Sequence, residues 1–83
     1  MKLKGRTYIV TGAAGGIGQG VTEALLQEGA NVLLTDLDEK RTSVVRNLVD
    51  PIGDRTFAFG ADLASPGKAD ELVSVALGRF NSL

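Results

Sequence analysis

Tyr8-Ile9-Val10-Thr11-Gly12-Ala13-Ala14-Gly15-Gly16-Ile17-Gly18 joins an apolar run to a helical pattern through a glycine-rich turn. A helix N-terminus leaves backbone N–H groups unpaired and carries about half a positive charge, so a phosphate can bind there without a basic side chain. The glycines then have separate steric tasks. Gly12 permits a tight turn out of the strand, Gly16 lets backbone approach an anion, and Gly18 lets the helix pack on the strand.

The stretch downstream supplies the context that a glycine cluster lacks by itself. The first helix is expected from Gly16 to Glu28, with Ile17, Val21, Ala24 and Leu25 as its apolar face and Leu26 beside it. Gly29 ends it. A second apolar strand, Asn31-Val32-Leu33-Leu34-Thr35, stops at Asp36, where a dinucleotide fold places a carboxylate to accept hydrogen bonds from an adenosine ribose. The spacing is Thr-Gly-x-x-x-Gly-x-Gly, not the more general Gly-x-Gly-x-x-Gly.

Thr11 to Gly18, together with Asp36 and the later pair Asp62-Leu63, resembles the N-terminal part of the short-chain dehydrogenase/reductase family. The resemblance runs from Lys4 to the chain end and implies NAD as cofactor. It would put Gly12, Gly16, Ile17 and Gly18 in the phosphate-binding turn, and Asp36 and Leu37 at the ribose. Asp62 would reach the adenine amino group while Leu63 shapes the pocket. It also implies that the family's Asn-Asn-Ala-Gly motif, and its serine and Tyr-x-x-x-Lys pair, would lie beyond Leu83. Tyr8 has Gly12, not lysine, four positions on, so no catalytic residue is assigned here.

Composition narrows the alternatives. A chain of 83 residues suits one small domain, residues 1–83, of marginal stability. With no cysteine and no histidine it forms no disulfide, lacks the commonest zinc ligands, and has no Cys–His or Ser–His pair. A net charge of −1 without a basic stripe argues against nucleic acid, and no apolar run approaches membrane-spanning length, leaving the cytoplasm as the expected location.

The rest of the chain continues the alternation. Asp38 is expected to cap a second helix over Glu39 to Val49, with Val44, Val45, Leu48 and Val49 as its apolar face. Asp50-Pro51-Ile52-Gly53-Asp54 breaks the pattern, and Arg55 to Gly60 forms a third strand with Phe57 and Phe59 on one side. Ser65-Pro66 is expected to open a third helix at Pro66, with Ala69, Leu72, Val73, Ala76, Leu77 and Phe80 facing the core.

The expected fold is α/β: a β-α-β-α-β-α half of a Rossmann fold, three-layered, with a parallel sheet in order 3-2-1 and the third helix on the opposite face from the first two. Two functional readings follow. In one, the chain is the NAD-binding N-terminal portion of an oxidoreductase acting on an alcohol/carbonyl pair, inactive alone. In the other, it is a free-standing, non-catalytic adenine-dinucleotide-binding or protein-interaction module. The apolar first strand has no partner on its outer side in this order, so self-association, or pairing with a missing C-terminal portion, is expected through it.

Overall fold

The computed structural model describes residues 2–80. The expectations at Met1 and from Asn81 to Leu83 lie outside the described residues. The elements alternate as β1 (Thr7–Thr11), α1 (Gly16–Gln27), β2 (Asn31–Asp36), α2 (Glu39–Val49), β3 (Thr56–Gly60) and α3 (Lys68–Phe80). The sheet is parallel in order β1-β2-β3, with Tyr8 opposite Val32 and Leu34 opposite Ala58. Central β2 is buried on both faces, which is why Val32, Leu33 and Leu34 run without a polar break.

Each face of the sheet has its own core. Val10, Val32 and Leu34 pack with Leu26 of α1 and Val45 of α2. Leu33 packs on the other face with Leu72 and Ala76 of α3, supported by the half-buried Phe57 and Phe59. The expected three layers therefore form, with both phenylalanines on the α3 side. Tyr8 is half-buried, less enclosed than its strand position suggested.

The helix faces differ from those expected. In α1 the sheet-facing residues are Gly18, Thr22 and Leu26, while Ile17 is 88% and Val21 45% exposed. In α2 Thr42 and Val45 are buried, and Val44 and Leu48 face outward. The reason is local hydrogen bonding. Thr22 Oγ1 donates to the Gly18 carbonyl at 2.8 Å, and Thr42 Oγ1 donates to the Asp38 carbonyl at 2.7 Å. Each threonine thus satisfies its hydroxyl within its own helix and buries like an apolar residue.

Helix α3 begins at Lys68, not at Pro66. The Ser65 N–H donates to the Asp62 carbonyl, the Lys68 N–H donates to the Ser65 carbonyl, and Gly67 sits at φ +81. Ser65 and Pro66 therefore occupy a separate turn, and the left-handed glycine marks its end. Leu72 and Ala76 face the core as expected, but Ala69, Val73 and Leu77 do not.

Polar bonds tie the bottom of the sheet to the helix ends. Asp50 at the end of α2 accepts from the Arg55 N–H and from Thr56 Oγ1 at 2.9 Å. Arg46 reaches Thr56 Oγ1 and the Gly53 carbonyl, and Arg55 donates to the Leu26 and Ala30 carbonyls. The opposite edge of the sheet is thereby left as the open one.

Candidate functional site

The C-terminal ends of the strands meet at a cleft of about 340 Å³ lined by Thr11, Gly12, Thr35, Asp36, Leu37 and residues 61–64. This is the edge at which open parallel sheets take ligands. Its side walls are the β1–α1 turn and the β3–α3 turn, and β2 supplies the floor. Gly12, Asp36, Leu37, Asp62 and Leu63, all singled out from the sequence, line it together. Gly16, Ile17 and Gly18 are not in its lining but form the start of α1 behind Gly12.

The turn is built from backbone. Gly12 has φ +64, the Gly15 N–H donates to the Gly12 carbonyl at 3.2 Å, and the Ala13 N–H donates to the Thr35 carbonyl at 3.1 Å. A Cβ at Gly18 would lie 2.5 Å from the Gly12 oxygen and 2.7 Å from Ala13 Cα, so that glycine is required by packing. A Cβ at Gly16 would meet nothing within 4 Å. The first turn of α1 carries no acidic residue, and Gly15 caps it without a side-chain hydrogen bond. Open space at Gly16 before an uncapped helix end suits a phosphate group.

Asp36 stands at the end of β2 with its two oxygens already engaged. Oδ2 accepts the Ala14 N–H at 3.1 Å and Oδ1 accepts the Leu37 N–H at 2.7 Å. The Ala14 N–H above all holds this carboxyl below its ordinary value; desolvation opposes the shift, and the Leu37 and Asp38 N–H groups and the Arg41 charge add to it. Leu37 itself is exposed.

On the other wall, Asp62 Oδ1 accepts the Ala64 N–H at 2.9 Å and shapes the turn it belongs to. Asp62 is exposed at the cleft, and Leu63 packs from the same turn against the α3-side core. Among the described residues, Thr35 Oγ1 is buried without a hydrogen-bond partner. Its residue lines the cleft, so an unsatisfied polar atom lies beside the space a ligand would fill.

Two features went unread in the sequence. A Cβ at Gly60 would lie within 2.6 Å of Glu39 Cα, so the start of α2 seats directly on the end of β3. Lys40 and Arg41, in the first turn of α2, line a second cavity of about 290 Å³ with Ala14, Val44 and Val45. Neither Gly15 in the turn nor Leu37 after the acid supplies a cation. The helical step from the Asp38 cap was the available signal, because it swings residues 40 and 41 back toward the glycine turn.

Among the described residues, no group of three or more histidine, cysteine, aspartate or glutamate side chains could hold a metal ion. No helix among them is long and apolar enough to cross a membrane.

Comparison with known proteins gives consistent matches along the chain. The family model described as short chain dehydrogenase matches residues 6–83. A diacetyl reductase [(S)-acetoin forming] from Staphylococcus epidermidis is 33% identical over 78 residues, covering 94% of this chain and 30% of that protein. A 3-ketoacyl-(acyl-carrier-protein) reductase from Brucella melitensis, solved with NADH, superposes with a TM-score of 0.84 at 29% identity, covering 94% of this chain and 31% of that one. A metagenomic short-chain oxidoreductase solved with NADP also gives a TM-score of 0.84, at 26% identity, covering 98% of this chain and 37% of that one.

Proposed function

Because the chain belongs to the short-chain dehydrogenase family, we propose that it binds NAD through the β1–α1 turn and the cleft at the ends of its strands. The carrying observation is that Gly12, Asp36, Leu37, Asp62 and Leu63, scattered along the sequence, line one cleft beside an open helix N-terminus. Gly16, Ile17 and Gly18 present backbone to the pyrophosphate, Asp36 and Leu37 meet the adenosine ribose, and Asp62 and Leu63 enclose the adenine. A bound dinucleotide supplies hydride chemistry through its nicotinamide. These residues do the binding and orientation, in the cytoplasm.

The chain spans 30% of the length of the diacetyl reductase it matches. We assign it the role of the N-terminal half of a dinucleotide-binding domain, in an oxidoreductase acting on an alcohol/carbonyl pair. The family's serine, tyrosine and lysine have no counterparts in these 83 residues, so the chain alone is expected to bind without turnover. Calorimetric titration with NAD tests this. Binding that is lost on Gly16→Val, with no NADH produced from any alcohol, is the expected outcome; turnover by the chain alone would overturn the assignment.

Preference for NAD over NADP follows from Asp36, whose charge opposes a 2′-phosphate and whose oxygens suit ribose hydroxyls. Arg41 acts the other way, from the flank of the turn. We expect Asp36→Ser to reduce the NAD/NADP affinity ratio by on the order of tenfold, and Arg41→Ala to raise it. Equal affinities in the unmodified chain would remove Asp36 from the ribose.

A further inference from the structure

The glycine-rich turn has few side chains of its own to hold it. Between Thr11 and Gly16 it consists of glycine and alanine, with Gly12 at φ +64, and its helix lacks a side-chain cap. Such a segment has a large conformational entropy, and apart from Ala13, which is buried in the core, little side-chain packing to offset it. Ala13 and Gly15 are tied by backbone bonds to Thr35 and Gly12. The middle of the turn is tied by a side chain from another element, through the 3.1 Å bond from the Ala14 N–H to Asp36 Oδ2. That carboxylate cannot swing freely, because its Oδ1 is fixed 2.7 Å from the Leu37 N–H.

We propose that Asp36 is a positioning residue for the phosphate-binding turn, holding Ala14, and with it the open start of α1, in place before any ligand arrives. The ligand side of this inference rests on the dinucleotide reading above, whereas the contact with Ala14 belongs to the ligand-free chain. The role is separable from ribose recognition because it extends to anions that carry no ribose. Its sign also opposes simple electrostatics. A carboxylate near an anion site repels the anion, so its removal alone should tighten binding; loss of a positioning contact should weaken it.

The test is amide hydrogen exchange by NMR on the ligand-free chain, comparing the unmodified protein with Asp36→Asn and Asp36→Ala. Exchange at Ala14 should rise about tenfold or more in Asp36→Ala, while the Val32, Leu33 and Leu34 amides stay protected. Asp36→Asn keeps an acceptor oxygen in place and should restore most of the protection. Asp36→Ser, too short to reach Ala14, repeats the test should the alanine variant not fold. Ala14 exchange that is the same in all variants overturns the positioning role.

Titration with inorganic pyrophosphate, followed at the Gly15 to Gly18 amides, provides the second arm. Weaker binding in Asp36→Ala supports positioning, and equal or tighter binding overturns it. If the unmodified chain binds neither pyrophosphate nor NAD while Ala14 exchanges as expected, the dinucleotide reading fails and the positioning contact stands.

Discussion

Gly16 and Gly18 lie two positions apart and answer to different neighbours. A side chain at Gly18 would press on the Gly12 carbonyl and on Ala13 Cα, both backbone, whereas Gly16 faces open space. Gly18→Ala should therefore cost about 1–3 kcal/mol of stability, as overpacking does. Gly16→Ala should leave the urea midpoint nearly unchanged yet weaken NAD binding, because the new methyl group occupies the cradle. A destabilised Gly16→Ala, or a Gly18→Ala as stable as its parent, would contradict these separate tasks. Thr35 offers a converse case. Its unpartnered hydroxyl makes Thr35→Val an expected gain of about 1 kcal/mol, read from the same denaturation curves.

Among the elements, the joint between α2 and β3 depends most on charge. Burial pushes the Asp50 carboxyl up, but the Thr56 hydroxyl, the Gly53 and Arg55 N–H groups and the Arg55 charge outweigh it and hold it below the ordinary carboxylate value. Asp36 is held down in the same direction. Both groups bind protons less readily folded than unfolded, so their stabilisation is fully present above the unfolded pKa and drains as pH falls through the lower folded values. The urea midpoint should be flat above about pH 5 and fall below about pH 4. Asp50→Asn should show a shallower acid decline; a variant declining as steeply as its parent would mean that Asp50 does not carry the effect.

For the whole molecule, the exposed apolar residues of α1 and α3, Ile17, Val21, Val73 and Leu77, fall on the same side of the sheet. In α1, Glu23, Leu26 and Gln27 border the groove toward α2, so the Ile17, Val21 and Ala24 stripe falls on the far flank, on the β1 side of the sheet. In α3, Arg79 lies over Phe57 of β3, which turns Val73 and Leu77 the other way, toward β1. An outer strand of the described sheet flanked by apolar stripes on both faces favours association. The chain is expected to dimerise or aggregate through β1, and Val21→Lys should shift sedimentation toward monomer. A parent chain that sediments as a monomer and unfolds cooperatively would favour the free-standing binding module instead. Adding a strand that pairs with β1 should raise stability and suppress association.

The alternation of elements, the strand order, the turn at Gly12 and the acid ending β2 were legible in the sequence alone. Each depends on neighbours within a few residues or on the handedness of strand connections, which any chain with this pattern obeys. Tertiary structure decided what depends on distant partners. It chose Thr22 and Thr42 over Ile17 and Val44 for the interior, because hydroxyls bonded within the helix bury as readily as methyl groups. It moved the start of α3 from Pro66 to Lys68 by spending Ser65 on a bond to Asp62. It also brought Asp36 to Ala14 and Arg41 to the flank of the same turn, contacts between side chains and backbone far apart along the chain that no local pattern records.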